Sequence, residues 1–153
     1  DKSLDSDQDY RQWLFNLDKA NSSGPNTFVL GGRYGRTLDD AEVVTSSFVI
    51  GGARQLSGFR QDSVSGQNVS LMRMVYYRRL TPRAYVPLDF PLYIGGSLER
   101  GRAWNNDNEF DSGYINAASI FLGLETPLGP LNFSYGTNSA HEQAVYLNLG
   151  HTF

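Results

Sequence analysis

The segment Gln143–Phe153 constrains the fold of this chain more than any other. Val145, Leu147, Leu149 and Phe153 lie in one alternating set, and Ala144, Tyr146, Asn148, Gly150 and Thr152 in the other. Successive side chains of an extended strand point to opposite sides, so the segment sorts into an apolar face and a polar face. His151 is the one polar member of the apolar set, and a ring near the edge of an apolar layer can turn its polar end outward. Pro130–Thr137 repeats the pattern, with Leu131, Phe133 and Tyr135 alternating with Asn132, Ser134 and Gly136. A period of two argues for strands with different environments on their two sides.

Two architectures satisfy that pattern. A soluble ligand-binding barrel turns the apolar face inward, whereas a membrane barrel turns it outward toward lipid. The polar positions here are Asn, Ser, Gly and Thr, which suit a wet interior. An exterior bathed in water would carry more Lys and Glu. The nine Tyr, nine Phe and two Trp among 153 residues are a heavy aromatic load. No apolar run approaches the roughly 18 residues that a membrane helix needs. An alternating barrel has no such run, so this does not exclude the membrane.

The period of two recurs along the chain, and polar clusters divide it into seven expected strands. They are Tyr10–Lys19, Thr27–Thr37, Val69–Leu80, Leu92–Trp104, Tyr114–Thr126, Pro130–Thr137 and Gln143–Phe153. Turns are expected at Asn21–Asn26, after Leu80 at Thr81-Pro82, in the polar stretch Asn105–Gly113 and at Pro127-Leu128-Gly129. Leu38–Val44 is the one short stretch that fits a turn of helix. The long segment Leu38–Asn68 exceeds a hairpin loop, and loops of that length are usually functional or disordered. It carries Phe48-Val49-Ile50-Gly51-Gly52 and Leu56-Ser57-Gly58-Phe59, apolar residues that a disordered linker would not need, so packing is expected.

Several function classes are disfavoured. Thirteen Lys and Arg against sixteen Asp and Glu give a net charge of −3 and no electrostatic case for nucleic acid. The absence of cysteine removes disulfides, zinc thiolates and a cysteine nucleophile. With only His141 and His151, no spaced metal cluster forms, and no cofactor motif is present. Ser139, His141 and Glu142 form one catalytic alternative. Ser139 and His141 would share a strand face, but Glu142 would point away, and a base needs its orienting acid within hydrogen-bond reach. A polar loop is the simpler account, and the segment is expected not to be an enzyme.

Four blocks carry a family resemblance. Thr126-Pro127-Leu128-Gly129-Pro130-Leu131-Asn132-Phe133-Ser134-Tyr135 resembles the penultimate hairpin of the BamA-like (bacterial surface antigen) outer-membrane barrels. Val145–Phe153 resembles their closing strand. Gly51-Gly52 with Leu56-Ser57-Gly58-Phe59 resembles the tip of their sixth extracellular loop. Glu99-Arg100-Gly101-Arg102-Ala103-Trp104 resembles an acidic-x-Gly-x-x-Trp segment of their thirteenth strand. The blocks stand in the family's order across most of the chain. The nearest subgroup by resemblance is the barrel of patatin-like phospholipase autotransporters, the patatin-like protein D type.

The resemblance implies an all-β, antiparallel transmembrane β-barrel. The seven strands would be the tenth to sixteenth of sixteen, a half-barrel, with the long loop folded into the lumen. Residues 1–153 would form the C-terminal part of a translocator domain, a mature product or a fragment. It would lie in the bacterial outer membrane with its C-terminus on the periplasmic side, and Asp1–Gln8 would end an extracellular loop. The implied function is translocation or insertion of polypeptide, as the translocator of a type V autotransporter whose passenger, a hydrolase in that subgroup, lies upstream. A small stand-alone outer-membrane barrel, structural or lipid-modifying, is the alternative. The implied partners are outer-membrane lipids, the missing strands or a second copy, the assembly machinery and the transported polypeptide. No cofactor is implied.

The resemblance also assigns residues. Gly51, Gly52, Leu56, Ser57, Gly58 and Phe59 form the loop motif. Val145, Leu147, Leu149 and Phe153 form the assembly signal, which would act by strand addition. In the family an arginine stands at the position of Ser57 and reaches toward the acidic residue that is Glu99 here, beside Gly101. Ser57 departs from that pattern, and the flanking Arg54 or Arg60 is expected to supply the cation. Arg100 and Arg102 fall on the outward side of the fourth strand. They have two accounts: phosphates of lipopolysaccharide, or a solvated rim.

Overall fold

The structure, a computed structural model, describes residues 12–38, 48–60, 63–80, 90–105 and 111–150. Nine strands form: β1 (Gln12–Ser23), β2 (Asn26–Thr37), β3 (Phe48–Ile50), β4 (Val64–Gly66), β5 (Asn68–Leu80), β6 (Leu92–Trp104), β7 (Ile115–Thr126), β8 (Gly129–Asn138) and β9 (Gln143–Leu149). The described residues contain no helix. Residues 39–44 of the expected helical turn lie outside them, as do Tyr10, His151, Phe153 and Asp1–Gln8.

Seven strands make one antiparallel sheet in the order β1-β2-β5-β6-β7-β8-β9, and β3 pairs only with β4. Each neighbour in the main sheet is therefore the next long strand along the chain. β1 and β9 are its edges, so the described sheet is open.

The first hairpin is tighter than the polar run Asn21–Asn26 suggests. β1 continues to Ser23, pairs with Asn26, and turns through Gly24-Pro25 alone. Gly24 has φ +58°, the left-handed value that the first central residue of a type II′ turn requires. Asn21, Ser22 and Ser23 are drawn into the ladder, and the Ser22 and Thr27 hydroxyls meet at 2.9 Å across it.

Register divides the sheet into two faces. Pairings such as Gly35 with Val69, Val69 with Ala103, Glu99 with Ala117, Ser119 with Gly136 and Ser134 with Tyr146 align one set of side chains. Residues 48–60 and 63–66 pack on this face. Ile50, Leu56, Phe59 and Val64 from that segment bury against Val69, Leu71, Ala103, Ile115 and Ala117 of the sheet. The core thus lies between the long loop and the face that also carries Ser97, Glu99, Ser119, Asn132 and Ser134. The opposite face leaves Phe15, Leu30, Met72, Leu98, Ile120, Phe133 and Leu147 exposed, and its exposed apolar side chains extend over all seven strands.

Candidate functional site

The loop tip is built from backbone conformations that few residues adopt. Gly51, Gly52 and Gly58 have φ of +129°, +107° and +94°, and Arg54 and Leu56 also take positive φ. Non-glycine residues at positive φ are strained and persist only where their surroundings over-determine them. Here the surroundings are the sheet. Leu56 is fully buried over Gly101, where an added Cβ would stand 2.9 Å from its side chain. A Cβ on Gly136 would stand 2.5 Å from the Cβ of Ser57. These glycines let the tip reach the sheet surface.

Three polar contacts then fix Ser57-Gly58-Phe59. The Ser57 backbone N–H donates to Glu99 Oε2 at 2.6 Å, and the Ser57 hydroxyl donates to Glu99 Oε1 at 2.9 Å. Ser97 Oγ also bonds Glu99 Oε1 and lies 2.6 Å from Ser119 Oγ. The Ser57 hydroxyl in turn accepts the Arg54 N–H at 3.1 Å. The second contact is Tyr146 on β9, whose hydroxyl accepts the Gly58 N–H at 2.9 Å and donates to the Phe59 carbonyl. The third is Asn138 at the end of β8, which donates from Nδ2 to the Ser57 carbonyl at 3.4 Å. The tip is therefore tied to β6, β8 and β9 together.

Glu99 is only 4 % exposed. A buried carboxylate is tolerable when hydrogen-bond donors satisfy it. Ser57, through both its hydroxyl and its backbone N–H, occupies that role. Arg54 lies elsewhere, with its guanidinium 5.2 Å above the centre of the Phe121 ring. Burial lowers the Arg54 pKa, the nearby charge of Arg73 lowers it further, and the charges of Glu99 and Tyr77 oppose both. Glu99 is thus felt by Arg54 through space. Arg60 is exposed at the far shoulder of the loop, where its carbonyl accepts the Ser63 N–H at 3.3 Å.

On the same face Tyr77, Tyr93 and Phe121 form an aromatic cluster, with ring centroids 5.9 Å apart for the two tyrosines and 6.5 Å for Tyr77 and Phe121. Near β1 and β2, Arg73 pairs with Asp18 at 2.8 Å beside a cavity of about 180 Å³ that Arg33 and Gln55 also line.

Val145, Leu147 and Leu149 are exposed on the opposite face of β9. Ser139 accepts the Asn116 N–H at 3.1 Å and returns its own N–H to the Asn116 carbonyl at 2.8 Å, which extends the β7–β8 ladder. Among the described residues, no hydrogen bond joins Ser139 to the side chain of His141 or Glu142. His141 is exposed, with φ +64°. No group of three His, Cys, Asp or Glu able to hold a metal occurs among the described residues.

Sequence reasoning singled out Glu99 and Ser57 but missed Tyr146, Ser97, Ser119, Asn138 and Gly136. Tyr146 carried a signal, being the one large side chain between Ala144 and Asn148 on the polar side of its strand. Ser97 precedes Glu99 by two and therefore shares its face. Asn138 and Gly136 carried no comparable signal. In comparisons with known proteins, no family model, no curated protein and no solved structure matches this chain.

Proposed function

We propose that this chain is part of a bacterial outer-membrane β-barrel that translocates or inserts polypeptide, with the long loop folded into its lumen. The observation that supports the membrane part is the uncovered apolar face. Trp13, Phe15, Leu30, Met72, Ile120 and Leu147 are exposed on it, and the loop packs on the other side. A soluble barrel would bury the apolar face and wet the polar one. Soluble proteins rarely expose contiguous apolar patches beyond a few hundred Å². β2, β5, β6, β7 and β8 have 10 to 13 residues each. A tilted strand needs about 9–11 residues to cross the hydrocarbon layer.

The open edges at β1 and β9 need partners, because unpaired backbone groups cannot remain in hydrocarbon. Further strands of the same barrel meet that need in the favoured version, a sixteen-stranded translocator of the type V autotransporter kind. The polypeptide-handling part rests on the resemblance to BamA-like barrels. The chain's contribution would be physical: a wall, a plugging loop, and a last strand at a seam whose loosening admits or releases substrate. The segment carries out no catalysis in this reading.

The test is partitioning of the folded full-length protein. It should need detergent or a bilayer to stay folded and dispersed, and its outward apolar residues should be shielded from water-soluble quenchers in vesicles. A monodisperse, β-rich preparation in plain buffer overturns the membrane part. For the transport part, deleting 48–66 from the full-length protein should change export of its upstream segment to the cell surface. Unchanged export with unaltered barrel assembly counts against it.

A further inference from the structure

Charge is sorted between the two faces of the sheet. Every acidic residue of the strands, Asp18, Glu99 and Glu125, lies on the loop-covered face by register. The apolar face carries Lys19, Arg36, Arg78, Arg100 and Arg102 and no strand carboxylate. The whole chain is net negative, at −3. The loop-covered face balances its three strand carboxylates with Arg33, Arg73 and Arg79, so of the two strand faces the apolar one carries the net positive charge.

Lys19 lies within the apolar band, opposite Leu30, and the four arginines stand toward the ends of the strands. Arg36, Arg100 and Arg102 lie toward the end that carries Thr37 and Trp104, and Arg78 lies toward the end of the Gly24-Pro25 turn. Arg100 and Arg102 lie against aromatic rings, and Arg36 has Trp13 as its ladder partner. The Arg100 guanidinium is 4.6 Å from the Tyr114 ring centre, and that of Arg102 is 5.0 Å from the Trp104 centre. Tyr34 and Trp104 lie 6.4 Å apart. Asp111 engages one edge of the Arg102 guanidinium, Nε to Oδ1 at 2.9 Å and Nη2 to Oδ2, which leaves Nη1 outside this pair. Arg36 and Arg100 form no ion pair among the described residues.

We infer that the rim formed by Arg36, Arg100 and Arg102 binds the phosphate of anionic lipid headgroups. This rests on the membrane reading above. An arginine offers a planar fork of donors that matches phosphate oxygens. A guanidinium at the edge of an apolar band can send its head to the headgroup level while its stem stays against the hydrocarbon. The Tyr114 ring against the Arg100 guanidinium restricts that side chain, so it loses less freedom on meeting a phosphate. The occupant is a phosphate-bearing lipid because the chain's apolar surface continues directly below the rim, where acyl chains would lie. Free phosphate has the same head chemistry without those chains, and the test separates the two.

The experiment measures boundary lipid on the full-length protein reconstituted in phosphatidylcholine vesicles. Spin-labelled phosphatidylglycerol and spin-labelled phosphatidylcholine are compared by their immobilised fractions. Phosphatidylglycerol should associate several-fold more strongly. Each cation near a surface of opposite charge contributes about 1 kcal/mol, roughly a fivefold preference. Arg36→Gln with Arg100→Gln should therefore bring the preference down at least fivefold and leave immobilised phosphatidylcholine unchanged. Arg36→Lys with Arg100→Lys should retain much of it, which guards against a folding defect in the Gln pair. Equal association of the two lipids, or a preference that the Gln pair does not alter, overturns the inference. Loss of preference on adding inorganic phosphate at the ionic strength of a chloride control assigns the site to free phosphate and overturns the lipid. Absence of any immobilised lipid overturns the membrane reading instead.

Discussion

The Ser57 hydroxyl and backbone N–H both donate to one carboxylate, that of Glu99, at 2.9 and 2.6 Å. Forty-two residues separate the partners in sequence, so this contact fixes the long loop to the middle of the sheet. Glu99→Gln keeps the shape and removes the charge. The amide oxygen can still accept the Ser57 N–H, and the serine hydroxyls can reverse to accept its NH2. What is lost is the charge assistance, worth about 1–2 kcal/mol more than neutral bonding. Hydrogen exchange at the Ser57 amide should rise on the order of tenfold. Ser57→Ala keeps the backbone bond and should have the smaller effect. An exchange rate unchanged by Glu99→Gln would mean that the carboxylate does not hold the loop.

Tyr146 supplies the second tie, and it belongs to the edge strand β9. Tyr146→Phe leaves the ring in place and strips the Gly58 N–H and the Phe59 carbonyl of their side-chain partner. An unmade hydrogen bond at a part-buried site costs about 1–3 kcal/mol. Protease cleavage at the loop tip should accelerate accordingly. Because Glu99 and Tyr146 hold adjacent residues of one tip, Glu99→Gln and Tyr146→Phe should be non-additive, with a coupling of about 0.5–3 kcal/mol. Strict additivity would show that the two ties act on independent parts of the loop.

How much of this was legible in the sequence depends on the range of the interactions. The two-residue period set the long strands, and β6 spans Leu92–Trp104 as expected, with Leu92, Ile94, Leu98 and Trp104 on one side although Gly96, Arg100 and Arg102 interrupt it. The hairpin β3–β4 was not legible. Its strands have three residues each, too few for a period to declare itself, and they form because Phe48, Ile50 and Val64 find the sheet beneath them. The end of β1 was misplaced because Asn21-Ser22-Ser23 has turn chemistry, while Gly24 alone satisfies the turn. Glu99 stood out through the resemblance of Glu99–Trp104 to an acidic-x-Gly-x-x-Trp segment, and the period of its strand did not mark it. Its partner did not, because an arginine was sought and a serine with its own N–H meets the same two oxygens.

Asp111 gives a pH dependence outside the long strands. Its hydrogen bond from Arg102, then that from the Gly113 N–H, lowers its pKa below the ordinary 3.8. A carboxylate depressed in the folded state contributes stability above its unfolded pKa and loses it as pH falls through the folded value. The contact between Arg102 and Asp111 should therefore be intact at pH 5 and above, and should release only below about pH 3.8. The carboxyl carbon shift of Asp111 should titrate in that acid range, and Arg102→Gln should move its midpoint upward. A midpoint at or above 3.8 in the unaltered protein would contradict the pairing.

Ile120 separates water from lipid as the neighbour of the outward face. It is 68 % exposed and pairs across the ladder with Gly96 and Tyr135. In water, replacing so exposed a side chain by arginine has little effect on stability, within about 0.5 kcal/mol, and usually helps solubility. In a bilayer the same change places a charge on the lipid side. Ile120 is followed on its face by Leu122 and Leu124 and preceded by Ala118, so its own strand places apolar residues on both sides of it. An arginine near the midplane of a barrel wall costs about 2–4 kcal/mol, and the cost falls toward zero near the interfaces. Ile120→Arg should therefore lower folding efficiency into vesicles by about 30-fold or more, taking 2 kcal/mol as the low end. Thr137→Arg, at the loop-bearing end of β8 on the same face, should have at most a slight effect. Equal and negligible effects of both substitutions, with the protein folded in plain buffer, would identify the outward face as one that meets water.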